Sequence, residues 1–110
     1  MEIAFDDARL QRICEDETRM VRKLGPDRTK RLKLRLSAME AADSLEDLRH
    51  APGRYHELRS DWAGHLSADL DQPYRLIFRP TADPAPVDEH GRLQWDAVRS
   101  VTIVSITDPH

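Results

Sequence analysis

The chain has 110 residues, of which 39% are hydrophobic and 34% are charged, and its formal net charge is −3. This length suits a single domain over residues 1–110 and leaves no room for two, the balance of charge excludes a polycation, and a single cysteine excludes an internal disulfide. No apolar run approaches the ~18 residues of a membrane span, and the acidic start MEIAFDDARL lacks the layout of a signal peptide, so we expect a cytoplasmic protein.

The first 42 residues predict a short strand followed by two helices. MEIAF alternates in polarity and is typical of an opening strand. Apolar residues at helical spacing predict a first helix over 8–24, which Asp6 or Asp7 can cap and a Gly-Pro pair ends. A second helix is predicted over 27–42, and the short link makes the two a helical hairpin. Cys14 falls among apolar neighbours and is predicted to be a small buried side chain rather than a reactive thiol.

After about residue 55 the pattern changes from helical spacing to alternation, which predicts strands. The SLEDL segment before this point predicts one more short helical turn. Two strands follow, joined by a tight DQP turn. Their predicted core residues are Leu66, Ala68 and Leu70 in the first strand and Tyr74, Leu76 and Phe78 in the second.

The end of the chain predicts an insertion and a final strand. Prolines and acidic residues fill the segment at about 80–96, so we expect an exposed, loosely packed insertion there. The β-branched stretch VRSVTIVSIT predicts the last strand. The order of elements predicts an α+β fold, in which an N-terminal helical hairpin packs on one face of a small antiparallel sheet of four to five strands.

Positive charge is concentrated in residues 19–35, which contain eight basic side chains and one acid. By contrast, residues 61–110 contain four basic side chains and eight acids. This asymmetry is compatible with a local anionic partner, although a solvated helix face has the same composition.

The strand after the DQP turn also predicts a charged face. Arg75, Ile77 and Arg79 alternate with its apolar residues and so point away from the predicted core. Arg59 could join the arginines, and a twist or bulge would be needed to bring His56 to the same place. Guanidinium groups bind phosphate oxygens in bidentate fashion, and a histidine can move a proton near neutral pH. These groups are the minimum for metal-free RNA cleavage, but an ordinary solvent-facing strand would also show them.

Other possible sites have weaker signals. His50, His56 and His65 lack a supporting carboxylate or cysteine pattern, so we predict no metal site. No glycine-rich phosphate loop is present in the sequence, and we predict no cofactor. Trp62 and Trp95 lie in predicted loops, where either could stack on a base or pack at the edge of the core.

Several stretches, taken together, resemble a known toxin family. The first strand and helical hairpin are followed by LSAMEAADSLEDLRHAPG, by YHELRSDWAGHLSADLDQPYRLIFRP and by a last strand ending in TDPH. In this order they resemble the HigB-like branch of the RelE/ParE toxin superfamily, apart from the insertion at 80–96. The most specific parts are AADSLEDL, the hairpin from HEL to YRLIFR, and the C-terminal Asp-x-His.

The resemblance implies that the chain is the toxin of a bacterial type II toxin–antitoxin pair. Such a toxin would cut mRNA on the ribosome without a metal and arrest growth. Its implied partners are a small helix-turn-helix antitoxin, the ribosome and mRNA. Operator DNA would be reached only through the antitoxin, and no membrane partner is implied.

The same resemblance assigns residues to the site. The predicted catalytic residues are His56, Arg59, Arg75, Asp108 and His110, and the predicted RNA-binding residues are Arg79, Trp62 and His65. The two catalytic histidines would share acid–base work, the two catalytic arginines would stabilise phosphate charge, and the aspartate would orient a histidine.

The chain departs from the family pattern in three places. Trp62 stands where a basic residue is usual, and Pro109 replaces the tyrosine of the terminal motif. Asp69 and Asp71 add negative charge to a strand that should face RNA. These departures keep open a toxin-fold protein with weak or no nuclease activity that acts mainly by binding its antitoxin. A ParE-like inhibitor of DNA gyrase is a third hypothesis, which His56 and the Asp-x-His ending disfavour.

Overall fold

A computed structural model describes residues 1–109, which form three α-helices and a five-stranded sheet. The helices are α1 (Ala8–Glu15), α2 (Glu17–Leu24) and α3 (Pro26–Ala41). The strands are β1 (Glu2–Phe5), β2 (His56–Glu57), β3 (Leu66–Asp69), β4 (Arg75–Pro80) and β5 (Ser100–Thr107). Single 3-10 turns cover Leu45–Leu48, Ser60–Trp62 and Trp95–Ala97. This arrangement confirms the predicted α+β class, and none of the helices within residues 1–109 is long and apolar enough to cross a bilayer.

The predicted helix over 8–24 is in fact two helices, so the prediction of one continuous helix is wrong. Asp16 separates them with extended backbone angles (φ −132°, ψ 107°) and caps α2, where its carboxylate accepts a hydrogen bond from the Arg19 N–H at 3.2 Å. Aspartate favours this capping position over a helix interior, because its side chain satisfies backbone donors that the helix leaves unpaired. Asp7 caps α1 in the same way, as predicted, by accepting from the Leu10 N–H at 2.7 Å.

The sheet has the strand order β1-β5-β4-β3-β2 and is antiparallel except at one edge. There β1 runs parallel to β5, with Ile3 opposite Val101. The sheet was predicted to be antiparallel but is mixed, because the chain brings β5 back beside β1 in the same direction. The final strand lies inside the sheet, between β1 and β4.

One face of the sheet packs on the helices and forms the core. Leu32 and Met39 of α3 belong to the same buried cluster as Leu66, Leu76 and Phe78 of the sheet. All five side chains are inaccessible or nearly so. The predicted apolar alternation of β3 and β4 is confirmed on this face.

The opposite face is less open than the alternation predicts. Ile77 and Ser67, which are directly paired across β3 and β4, are both fully buried. Arg75 keeps only 16% of its side-chain exposure, so it lies against the protein instead of projecting into solvent. Ile77 points away from the helix-packed core, as predicted, but it is fully buried because neighbouring side chains shield the middle of the sheet.

The segment 80–96 is exposed along most of its length but has hydrogen bonds of its own. Val87 forms a bridge with Leu93, and the Asp88 carboxylate accepts two backbone N–H hydrogen bonds at 2.8 and 2.9 Å. Trp95 differs from its neighbours, because only 4% of it is exposed and it belongs to the core cluster. The exposed insertion therefore ends before Trp95.

Candidate nucleic-acid interface

Three of the predicted site residues, His56, Arg75 and Arg79, lie on the sheet face opposite the helices. The strand pairing places His56, Ser67, Ile77 and Ser105 in one row across β2 to β5. Residues opposite one another in neighbouring strands share a face. Arg75 lies two residues from Ile77 on β4, so its Cα is roughly 12 Å from that of His56 at ordinary strand spacing. An arginine side chain can span much of that separation, so the two groups can reach one bound substrate.

His56 and Arg59 line the same surface depression, which has a volume of about 410 Å³. Strand β2 ends after Glu57, and the chain then turns into a 3-10 segment for which Arg59 is the N-terminal flanking residue. The N–H of Leu58 still donates to the carbonyl of His65 at 2.9 Å, which ties this turn to the start of β3. A twist or bulge was predicted to be necessary for His56 and Arg59 to come together. The early end of β2 and the turn that follows it have this effect.

The other walls of the depression come from residues distant in sequence. Its lining also includes Arg49, Tyr55, Glu57 and Trp95. Arg49 was missed by sequence reasoning, because it lies in a loop without periodicity. Trp95 was assigned to a loop, although the structure places its indole beside Glu57, whose carboxylate accepts from Nε1–H at 3.1 Å.

The imidazole of His56 is held in a defined orientation. Its Nδ1 lies 2.8 Å from the carbonyl oxygen of Arg54. Because a carbonyl can only accept, Nδ1 donates and carries a proton. In the neutral ring Nε2 is then unprotonated, and it can accept a proton from a hydroxyl group.

Arg75 is not a freely exposed cation, contrary to the sequence prediction. Its Nε lies 3.5 Å from Oδ1 of Asp69, its direct partner on β3, and the two side chains are 16% and 19% exposed. Within residues 1–109 this buried Asp69 oxygen has no hydrogen bond. Asp69 thus places negative charge on this face, as predicted, and holds Arg75 close to it.

Asp71, the second acid that the sequence placed on this strand, is engaged elsewhere. Arg28 of α3 donates to both of its carboxylate oxygens, at 2.8 and 3.1 Å, and the same guanidinium lies 3.5 Å from the centroid of the Tyr74 ring. The hydrogen bonds from Arg28 lower the pKa of Asp71 below its usual value. Its charge is therefore compensated by an arginine of α3, so Asp71 adds little uncompensated negative charge beside Arg75.

The predicted RNA-binding residues lie toward the other end of the face. Arg79 contacts Asp6 at 3.4 Å. Leu66 of β3 pairs with Phe78 of β4, and the two strands are antiparallel, so the preceding residue His65 lies beside Arg79. The Trp62 ring meets the His65 ring edge to face, with centroids 5.4 Å apart. Arg79, Trp62 and His65 therefore form a neighbouring group.

The two C-terminal predictions have different outcomes. Asp108 follows Thr107 directly, and Thr107 is the β5 partner of Arg75, so the backbone of Asp108 lies at the Arg75 end of the sheet. His110 lies outside the described residues. Its predicted role beside His56 therefore stays a prediction.

Neither a metal site nor a reactive thiol emerges from the part of the chain that the structure covers. Among residues 1–109 no three His, Cys, Asp or Glu side chains come together as a possible ligand set. Cys14 is half-buried, and burial raises the pKa of its thiol to about 11. The thiol is therefore protonated at neutral pH, in agreement with a packing role.

Comparison with known proteins gives a family and a fold. The model of the family described as RelE-like toxin of type II toxin-antitoxin system HigB matches residues 3–89. Among solved structures, the chain is similar to the YoeB-YefM complex from Staphylococcus aureus, with a TM-score of 0.57 and 14% identity. That match covers 100% of this chain and 98% of the other, and at such low identity it shows the fold alone. No curated protein sequence matches the chain.

Proposed function

Since the chain belongs to the HigB-like family of RelE-like toxins in type II toxin–antitoxin systems, we propose that it is a ribosome-dependent mRNA endonuclease. The observation that carries this proposal is the meeting of His56 and Arg59 in one depression at the β2 edge of the sheet, where His56 shares a face with Arg75. An oriented imidazole beside guanidinium groups provides a proton acceptor and stabilisation for a phosphorane-like transition state.

The proposed reaction uses protein side chains and no metal. Nε2 of His56 accepts the proton of the ribose 2′-hydroxyl, and the 2′-oxygen attacks the adjacent phosphorus. Arg59 and Arg75 stabilise the charge on the non-bridging oxygens. The bond to the 5′-oxygen breaks, His110 protonates that oxygen, and Asp108 orients the histidine. The products are a 2′,3′-cyclic phosphate and a 5′-hydroxyl.

We propose that the physiological partner is a helix-turn-helix antitoxin, which neutralises the toxin and connects it to operator DNA. Membership of a toxin–antitoxin family supports such a partner. The ribosome and its mRNA are the other proposed partners, and the cytoplasm is the proposed location.

Cleavage of mRNA on translating ribosomes tests the function. The wild-type chain, expressed without an antitoxin, should arrest growth and cut mRNA. His56→Ala should reduce the cleavage rate by about 10²- to 10⁴-fold, the usual contribution of an acid–base group. His90→Ala is the matched control, because His90 is an exposed histidine of the segment 80–96. Equal cleavage by wild type and His56→Ala would show that His56 is not the base.

A second candidate function is a toxin-fold protein that binds its antitoxin but cleaves little RNA. The contact between Arg75 and Asp69 favours it, because a phosphate must compete with the carboxylate for this guanidinium. In that case the wild-type chain would bind the antitoxin tightly, and mRNA on translating ribosomes would remain intact.

A further inference from the structure

Arg49 lies at the edge of the depression that contains His56 and Arg59. Its guanidinium carbon is 4.2 Å from the centroid of the Trp95 ring. Trp95 is almost completely buried and is also fixed by its hydrogen bond to Glu57. The indole therefore gives an otherwise exposed arginine a defined position, since a guanidinium is attracted to an aromatic face.

The depression has an excess of positive charge. Arg49 and Arg59 are permanently charged, and His56 adds a third positive group when it is protonated. Among residues 1–109, Glu57 is the one carboxylate in the lining, and one of its oxygens is occupied by the Trp95 N–H. Such a site favours an anion.

The donors of Arg49 are only partly used by the protein. Its Nε donates to both carboxylate oxygens of Glu46, at 2.9 and 3.1 Å, and Glu46 does not line the depression. The two terminal nitrogens have no hydrogen-bond partner in the part of the chain that the structure describes, so their N–H donors can serve a ligand. A nucleobase is a poorer fit than a phosphate, because the guanidinium covers the accessible indole face and the residue beneath it is buried.

We infer that Arg49, positioned on Trp95, binds a backbone phosphate next to the scissile one. This inference rests on the proposed function, because it assigns a further RNA-binding residue to the same site. Arg49 lies within residues 3–89, the part of the chain that the family model matches, whereas Trp95, which positions it, lies beyond that part.

A direct binding measurement tests the inference independently of cleavage. The probe is a fluorescein-labelled 2′-O-methyl RNA oligonucleotide, which cannot be cut by 2′-hydroxyl attack, and its affinity is measured by anisotropy at low salt. Arg49→Ala should weaken binding about tenfold, the usual effect of losing a charged hydrogen bond. It should also reduce the slope of log affinity against log salt by about 0.7, as expected for one phosphate contact on a single strand. Arg49→Lys should restore binding in part, because it returns the charge without the planar fork.

Two controls separate phosphate binding from a structural role. Arg92→Ala removes an exposed arginine whose Nε also contacts a carboxylate, that of Asp88 at 3.2 Å, and should leave affinity unchanged. Glu46→Ala removes the ion-pair partner of Arg49 and should leave affinity unchanged or increase it. A loss in Glu46→Ala equal to that in Arg49→Ala would overturn the inference, because Arg49 would then act only through its ion pair.

Cleavage on translating ribosomes distinguishes failure of the inference from failure of the proposed function. Arg49→Ala should raise KM about tenfold and change kcat little, because the contact is present in both bound states. If the wild type cleaves and Arg49→Ala matches it in oligonucleotide affinity and KM, the inference is wrong and the nuclease function stands. If the wild type does not cleave but Arg49→Ala weakens oligonucleotide binding, the nuclease function is wrong and the phosphate site stands. Failure of the wild type to bind the oligonucleotide at low salt would overturn the inference.

Discussion

Arg75→Ala should strongly reduce RNA cleavage and also destabilise the domain. The loss of a charged donor to the scissile phosphate should reduce cleavage by about 10²- to 10³-fold. The loss of stability follows from Asp69, whose buried carboxylate oxygen has Arg75 at 3.5 Å as its compensating charge. Because this oxygen already lacks a hydrogen bond, Arg75→Ala removes only the compensating charge, and leaving a largely buried carboxylate without that charge should cost about 1–3 kcal/mol. For a domain of this size each kcal/mol lowers Tm by about 4–8 °C.

The assay is urea denaturation of matched variants, followed by cleavage at a temperature where each remains folded. Combining Asp69→Asn with Arg75→Ala should recover about half or more of the lost free energy of unfolding, because a neutral amide costs less to leave unpaired than a carboxylate. Arg79→Ala is the stability control, since Arg79 lies on the same strand but pairs with the exposed Asp6. Exposed pairs contribute about 0–1 kcal/mol.

Two results would refute this reasoning about Arg75. A free energy of unfolding for Arg75→Ala within about 0.5 kcal/mol of wild type, the range of ordinary surface substitutions, would show that the Asp69 contact contributes nothing. Undiminished cleavage by the folded variant would show that Arg75 does not bind the scissile phosphate. Arg75→Lys should keep most of the stability and only part of the activity, because its ammonium cannot form the bidentate fork.

Three further changes test other parts of the structure. Gly53→Ala should cost about 1–2 kcal/mol in urea denaturation, because Gly53 has φ +114° and an added Cβ would lie 2.5 Å from Nε of Arg35; a neutral effect would mean that this loop can shift freely. The Asp71 pKa lies below its usual 3.8 through its hydrogen bonds to a helix arginine, so its stabilising contribution is present above that value and is lost as pH falls through the folded pKa. Asp71→Asn should therefore flatten the decline in stability below about pH 4, and an unchanged slope would contradict the assignment. Replacing residues 83–92 with a short turn should change the free energy of unfolding by less than about 1 kcal/mol, whereas Trp95→Ala should cost about 3–5 kcal/mol. A large loss of stability from the replacement would show that residues 83–92 support the core.

Local signals explain which parts of the fold could be predicted. The Asp7 cap and the start of α3 at Pro26 follow from residues within one turn of the helix end. The break at Asp16 was missed because Ile13 and Met20 still fit one helical stripe. Capping by Asp16 depends on a local hydrogen bond, which hydrophobic periodicity does not report.

The candidate site was harder to predict because it depends on distant contacts. The charged-strand pattern raised His56 and Arg59, the family resemblance assigned their roles, and the structure brings them to one depression. Arg49 and Trp95 could not be added from the sequence, because neither lies in a periodic segment and they are joined only by the folded core. The low exposure of Arg75 depends on the neighbouring strand, which alternation within one strand cannot show.

The internal position of β5 has a consequence for the order of folding. β5 is the last strand in the chain, yet it joins β1 to β4, and β1 pairs with no other strand in the sheet order. Before residues 100–107 are synthesised, the sheet can contain only the β2–β4 part, and β1 has no strand to pair with. Pairing of Glu2 with Ser100 closes a loop of nearly the whole chain, which is a slow step because of its entropic cost. The nascent chain therefore cannot complete the surface that carries Arg75 until β5 has left the ribosome.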